Sequence, residues 1–497
     1  MRSLQIIGLT CALASTNLFP PFAAAQKPVK FAPAVAYNAG PGPDSVAAAS
    51  LRSNGIVDIV VADYCETVEQ GYCTQNGEGG VSVLLDNGDG TYQTAVTYGT
   101  GAYGAQSVAI GDLDGDGVPD LVVADFYETF QGEQNSIGGV SVFLGNGDGT
   151  FQTPQVYASG GYNAYSIALA DLRRNGKLDI VVTNTYCSAT CFDGGVSVLL
   201  GNGDGTFQPA VTYDSGGQIA SSVAVGDVDG DGVPDLIVAN YRGFTVGVLL
   251  GIGDGTLQPA LVYGSGEEWP DSVAVGDLRG NGIWDLVAAN RWTNEKNGYE
   301  HSNVGVLLGS GNGTFEQAVT YPVGGTSYPP YPAIGAGYNA LTVADVNGDG
   351  VPDVAVVRWC TKLEHYSECV GNMEVSVLPG NGDGTFAKAS VYGSGGFFGA
   401  ALAIADVNGD GKPDLIVANG CSDSSCSSPD GSVAILLNET YYASKTALTA
   451  SPNPAQIDQS VTFTATVTPT PPNGEAVNFY NGKTSLGSGT TANGVAT

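Results

Sequence analysis

Short apolar runs of Val, Ile, Leu and Ala recur along the chain, each closed off by Gly, Asn, Asp or Pro. Runs this short, bounded by turn formers, predict buried strands and not helices. They are grouped in a two-part phrase, most complete as SVAIGDLDGDGVPDLVVAD at Ser107–Asp125 followed by VSVFLGNGDGTFQ at Val140–Gln152. Each phrase predicts four strands. Strand A (SVAVGD-like) leads through an acidic loop to strand B (DLIVAN-like). Strand C (VSVLLG-like) leads through an NGDG turn to strand D (TFQPAVTY-like). Asn-Gly and Asp-Gly supply the positive φ that tight hairpins need.

The acidic loop begins at Ser50, Asp112, Asp171, Asp227, Asp277, Asp345 and Asp406, so the phrase occurs seven times. A unit of this size cannot bury its own apolar face, so neighbours must stack. Four antiparallel strands repeated in this way make propeller blades. The expected fold is all-β, a seven-bladed β-propeller of four-stranded blades over residues 26–445. FAPAVAY at Phe31–Tyr37 matches strand D but precedes the first strand A, while the last repeat has NETYYA in place of its NGDGTF turn. The N-terminal strand is therefore expected to complete the seventh blade and close the ring; the alternative is a local strand at Tyr441–Thr446. From residue 446 to 497, Thr and Val alternate with apolar residues between Pro-rich turns. That pattern predicts an incomplete Ig-like β-sandwich, about half of an ordinary one of ~100 residues.

Composition narrows the partners. Lys+Arg 17 against Asp+Glu 49 gives a net charge of −32, which excludes nucleic acid and anionic membrane as ordinary partners. Residues 1–25 predict a signal peptide: Arg2, an apolar stretch from Leu4 to Ala14, then Ala23-Ala24-Ala25 before Gln26. The stretch is too short to span a bilayer, and Cys11, preceded by Thr10, does not fit a lipid anchor. Beyond Cys11 the cysteines form four close pairs, Cys65/Cys73, Cys187/Cys191, Cys360/Cys369 and Cys421/Cys426, each after a strand B. In an exported chain these are expected to be disulfides. The expected location is secreted or cell-surface, without membrane insertion, as a monomer.

The acidic loops carry the chemistry. In the second repeat, Asp112, Asp114, Asp116 and Asp120 stand at positions 1, 3, 5 and 9, with the carbonyl of Val118 at position 7. The fourth repeat has Asp227, Asp229, Asp231, Val233 and Asp235 at the same places. The sixth has Asp345, Asn347, Asp349, Val351 and Asp353, and the seventh Asp406, Asn408, Asp410, Lys412 and Asp414. Oxygen ligands so spaced suit a hard cation, calcium above all. Two carboxylates ~5 Å apart repel by about 3 kcal/mol at an effective dielectric near 20, and a plain turn has no need of them all. About four structural calcium sites are expected. An EF-hand is excluded, because its position-12 Glu is replaced by Val123, Val238, Val356 or Val417 inside a β-run.

The first, third and fifth repeats differ. Arg52, Arg173 and Arg279 stand at position 3, and Asn54, Asn175 and Asn281 at position 5. A guanidinium opposes metal entry and is expected to bridge carboxylates such as Asp171/Asp179 and Asp277/Asp285. The NGDG turns, for instance Asn202 and Asp204, are expected to be plain hairpins.

The recurring D-x-[DN]-x-D-G-x-x-D loop between two β-runs, followed by GNGDGTF, resembles the FG-GAP/VCBS repeat family, whose propeller is like that of integrin α-subunit heads. The resemblance covers roughly Phe31 to Tyr442 and implies calcium in the four acidic loops. SPNPAQIDQSVTFTATV and VNFYNGKTSLGSG look like a bacterial Ig-like repeat of surface proteins.

Strand alternation puts the acidic loops and NGDG turns on one face, and the B–C and D–A loops on the other. The D–A loops carry Tyr103, Tyr162, Tyr165, Trp269, Tyr328, Tyr331, Tyr338, Phe397 and Phe398. Exposed aromatics on stiffened loops suit a glycan or an extracellular or surface protein. No catalytic constellation is visible. The two His, His301 and His365, fall in variable loops, and no Ser/His/Asp or HExxH arrangement occurs. A non-catalytic binding or adhesion module is the expected function, ahead of a structural spacer or a polysaccharide-active enzyme.

Overall fold

The computed structural model describes residues 29–496 apart from position 53, parts of 67–77, residues 128–136, 188–192, 295–298, 324–339, parts of 359–373, 422–429, 441–444 and short stretches within 452–494. The predicted signal segment lies outside the described residues. Among the described residues every helix or strand assigned is a strand, and no helix is long and apolar enough to cross a membrane.

Each phrase folds into an antiparallel sheet in the order A-B-C-D, consistent with a propeller blade. Strand B is the driest. Asp58–Asp63 and Asp235–Asn240 are buried at every position, as a strand covered on both faces must be. The fourth, fifth and sixth repeats form separate four-stranded sheets. The first three merge into one ten-stranded sheet, because Val96–Gly111 and Gln155–Ala170 each serve as strand D of one repeat and strand A of the next. Glycines at positive φ, Gly101, Gly104 and Gly160, let the strand turn this corner without breaking. Tyr103, Tyr162 and Tyr165, expected in D–A loops, consequently lie within continuous strands.

The ends meet. Val35–Pro41 pairs antiparallel with Asp430–Leu436, Val35 opposite Ile435 and Asn38 opposite Ser432, and Phe31 bridges Asn438. The N-terminal strand thus supplies the outer strand of the last sheet. The alternative strand at 441–446 does not serve there: residues 441–444 lie outside the described set, and Lys445 opens a strand, Lys445–Ser451, paired with Thr462–Thr468. The innermost strands touch in sequence, Pro43–Ala49 against Val96–Gly111, and so on through Gln155–Ala170, Ala220–Gly226, Pro270–Gly276, Leu341–Ala344 and Phe397–Ala405, which returns to Pro43–Ala49.

An aromatic wedge repeats between neighbours. A strand-D Tyr packs edge-on against the Phe or Tyr that follows the next hairpin: Tyr98–Phe151 at 5.8 Å, Tyr157–Phe207 at 5.8 Å, Tyr263–Phe315 at 5.5 Å, Tyr321–Phe386 at 5.5 Å and Tyr37–Tyr92 at 5.4 Å. Where the last repeat lacks its NGDGTF turn, Phe31 fills that role against Tyr392 at 5.1 Å. Such edge pairs contribute roughly 0.5–1.5 kcal/mol each beyond area burial.

Beyond residue 445 the described strands form a three-stranded sheet (Lys445–Ser451, Thr462–Thr468, Val495–Ala496) and a hairpin (Ala476–Asn481, Thr484–Thr490).

Candidate metal loops and the opposite face

The last loop carboxylate opens strand B and is buried. Asp120 Oδ2 accepts from Leu113 N at 2.8 Å, and Oδ1 from Gly145 N at 2.8 Å. Asp235 does the same with Val228 and Gly251. The acidic loop is thereby tied to the C–D hairpin of its own repeat. A side chain at Gly145 would meet the Pro119 carbonyl at 2.4 Å, which is why this hairpin opens on glycine. The first carboxylate organises the loop backbone: Asp112 accepts from Gly115 N at 2.7 Å and Gly117 N at 3.0 Å.

Of the predicted ligand sets, Asp112, Asp114 and Asp116 converge in the second repeat, and Asp227, Asp229 and Asp235 in the fourth, with one oxygen from each within 4.8 Å of the others. Each group takes three of the four carboxylates expected in its loop; Asp120 and Asp231 are not among them. Burial first, and then the neighbouring Asp114 and Asp116, push the Asp120 carboxyl up to about 6, against its backbone hydrogen bonds. Burial with Asp229 and Asp231 does the same to Asp235, about 6. Burial also raises Asp353 to about 7 and Asp414 to about 6, with Asp349 and Asp345, or Asp410 and Asp406, adding to it. The donor set is all oxygen, preorganised and under mutual repulsion, so it fits a hard cation. In the sixth repeat Asn347 donates Nδ2 to Asp353 at 3.2 Å. In the seventh, Lys412 Nζ lies 3.2 Å from Asp410, placing an internal cation beside that loop.

The Arg loops keep the same frame with a cation from the chain. Arg279 Nη2 lies 2.6 Å from Asp285, Nε 3.2 Å from its other oxygen, and Nη2 also reaches the Gly309 carbonyl at 2.7 Å. Arg173 binds Asp179 and the Gly201 carbonyl likewise, and Arg52 binds Asp58 and the Asp86 carbonyl. The expected second partners, Asp171 and Asp277, are not bridged to these arginines. Asp171 accepts from Asn175 N and Gly176 N, and Asp277 from Asn281 N and Gly282 N, so position 1 is committed to the loop backbone.

The NGDG turns are hairpins, as expected. Asn146 Nδ2 donates to Thr150 Oγ1, and Asp148 accepts from Thr150 N; Asn202 and Asp204 repeat this with Thr206.

On the opposite face, Trp269 stacks on Tyr241 (centroids 6.5 Å, 25°) and meets Phe244 edge-on at 6.2 Å. Arg291 lies 5.4 Å from the Tyr241 ring centre and clasps Asp271 through Nε and Nη2 at 2.7 and 3.1 Å. Sequence reasoning missed this Tyr241–Arg291–Asp271 group; no repeated motif marks it. Tyr328, Tyr331, Tyr338 and His365 lie outside the described residues, as do the side chains of Phe398 and His301.

Sheets of four strands, each with an oxygen-rich loop between its two inner strands and locked to its own hairpin, define an all-β blade-repeat protein. The family described as FG-GAP-like repeat matches residues 51–123, 126–182, 186–238, 292–356 and 369–417, and the FG-GAP repeat matches 104–143. The chain belongs to the FG-GAP-like repeat family. Over 155 residues it is 32% identical to integrin alpha-IIb of Mus musculus, covering 28% of this chain and 15% of that relative's length. A solved Agrocybe aegerita lectin structure, described as recognising non-reducing terminal N-acetylglucosamine, aligns with TM-score 0.45 at 21% identity, over 84% of this chain and 87% of that one.

Proposed function

We propose that residues 26–445 form a seven-bladed propeller followed by an Ig-like module, and that the exported chain is a non-catalytic binding or adhesion module for a glycan or surface protein. The observation that carries this reading is the contrast between faces. The acidic loops and hairpins repeat and hydrogen-bond to each other, as scaffold does. The opposite face bears unrepeated groups such as Trp269, Tyr241 and Arg291. Membership of the FG-GAP-like family and the integrin alpha-IIb match agree with a binding role.

Calcium in this reading is structural. Asp112, Asp114, Asp116 and Asp120 would hold it in the second repeat, with the equivalent residues in the fourth, sixth and seventh. It would neutralise converging carboxylates and stiffen the A–B loop. The Arg loops are read as metal-free. The four cysteine pairs are read as disulfides; Cys65, Cys187 and Cys421 carry no free thiol, while the side chains of Cys73, Cys191, Cys360, Cys369 and Cys426 lie outside the described residues.

The test is a glycan array probed with the purified chain in calcium and again with chelator, beside the Trp269→Ala variant. Saturable binding weakened by that substitution supports a lectin-like face. An array without binding removes the glycan version and leaves protein adhesion.

A further inference from the structure

Among the described residues, six A strands share a register shift that their sequences do not announce. It falls between Pro43 and Ser45, Ala105 and Ser107, Ala164 and Ile167, Ala220 and Ser222, Pro270 and Ser272, and Gly399 and Ala401. In five of them the residue just before the shift has positive φ: Gly42, Gly104, Asn163, Ile219 and Trp269. A bulge re-aims the side chain it carries, and Ile and Trp pay a steric penalty at positive φ that a plain strand would not demand.

The bulged residues are Asp44, Gln106, Tyr165, Ser221, Asp271 and Ala400, and all of them line one cavity of about 320 Å³ where the innermost strands meet. The scaffold residues around them repeat: a Ser follows in five repeats, then Val or Ile. The bulge position varies more than the positions after it, holding Asp, Gln, Tyr, Ser, Asp and Ala in turn. Converging, mostly polar and varied side chains on a repeating frame mark a place adapted to something other than the frame.

The walls define the occupant. Beneath the bulges, Ser45, Ser107, Ser166, Ser222 and Ser272 each accept an N–H from the next repeat at 3.2–3.4 Å. A hydroxyl that accepts in this way keeps its own hydrogen to donate. Below lies an apolar floor that includes Val46, Ile167, Val223, Val273, Leu341 and Leu402. Asp271 is neutralised by Arg291. Asp44 takes one hydrogen bond from Gln106 Nε2 at 3.0 Å, and no cation lines the cavity among the described residues. Hydroxyl donors, one carboxylate acceptor and an apolar floor suit a ring with O–H groups at its edge and C–H groups on its face. The volume is at the low end for small-molecule sites.

We propose that this axial cavity is a saccharide subsite that takes one neutral monosaccharide, free or as the end of a glycan, with Asp44 accepting its hydroxyls. The proposal rests on the glycan version of the reading above and gives it a location. The test titrates the full chain, in calcium, with free neutral hexoses, pentoses and deoxyhexoses and their methyl glycosides, followed by ligand-observed NMR. At least one sugar should bind the parent chain. Asp44→Asn should weaken it roughly threefold to tenfold, the loss expected when one hydrogen bond to the sugar is impaired. Ala400→Phe, which fills the cavity and removes no hydrogen bond, should abolish binding with the melting temperature kept; it decides the matter if Asp44→Asn does not fold. Sugar binding that survives both substitutions but is lost in Trp269→Ala overturns the axial site and leaves the glycan reading standing. Binding of ethanolamine or acetate in the cavity in place of any sugar overturns the assigned chemistry. No sugar bound by the parent chain overturns both.

Discussion

Two versions of one loop occupy equivalent places in this molecule. In both, a buried Asp opens strand B and accepts backbone N–H groups from its own loop and hairpin. In the Arg version a guanidinium reaches that Asp and a hairpin carbonyl. In the acidic version of the fourth repeat Asp227 and Asp229 stand near the same spot, and Asp235 is pushed up to about 6. The difference teaches that one frame can meet its buried Asp with a cation from the chain or leave it among carboxylates, which on the calcium reading proposed above is where the solution would supply the charge.

The largest effect should come from removing the supply from solution. A ligand that binds only the folded state stabilises it by about 2.7 kcal/mol per site at a concentration 100 times its Kd. Heat denaturation in calcium and in chelator should therefore differ by a large upward shift in calcium. Coincident melting curves would end the metal reading of the acidic loops.

Removing the internal supply comes next. Arg279→Ala leaves Asp285, whose side chain is fully buried, without its cation. Breaking one side of a buried pair typically costs 3–5 kcal/mol, and calcium should not restore it. A loss below about 1 kcal/mol by denaturant unfolding would mean that this Asp needs no cation.

Exchanging one version for the other sharpens the comparison. Arg279→Asp with Asn281→Asp gives the fifth repeat carboxylates at positions 1, 3, 5 and 9. That variant should bind one more calcium per chain than the parent, counted by calorimetry, and recover in calcium about 2–3 kcal/mol of what Arg279→Ala loses. An unchanged stoichiometry would mean that the loop frame, and not the side chain at position 3, decides metal entry.

How much of this was legible in the sequence depends on whether one strand or two define the feature. The strands, the hairpins and the closing role of the N-terminal segment follow from patterns within single runs. The Arg pairing was half legible: position 3 faces the strand-B Asp, but position 1 is held by the loop's own N–H groups, which only the folded loop reveals. The strand-A bulges were not legible, because a register shift is a relation between two strands. Their one trace was the non-repeating residue before each Ser-Val or Ser-Ile, at Asp44, Gln106 and Tyr165.

The smallest effect concerns the end of strand B, where the repeats again differ. Asn184, Asn240, Asn290 and Asn419 stand there in four repeats, and Asp63 and Asp125 in the first two. The Asn version both accepts and donates: Asn184 accepts from Ser159 at 2.5 Å and donates to Ser197 at 2.9 Å. Asp125 can only accept, as it does from Ser141 at 2.6 Å. Burial raises its carboxyl to about 7, against hydrogen bonds from Ser141 and Thr100. The folded chain thus keeps a proton that the unfolded chain sheds near pH 4. Over that interval the folded state binds more protons, so this group's contribution to stability falls as pH rises from about 4 to about 7 and stays low above it. Asp125→Asn removes the titration. Relative to the parent in saturating calcium, it should stabilise by roughly 1–2 kcal/mol at pH 8 and by much less at pH 5. Equal effects at both pH values would mean that Asp125 stays charged in the fold and that its burial costs the blade nothing.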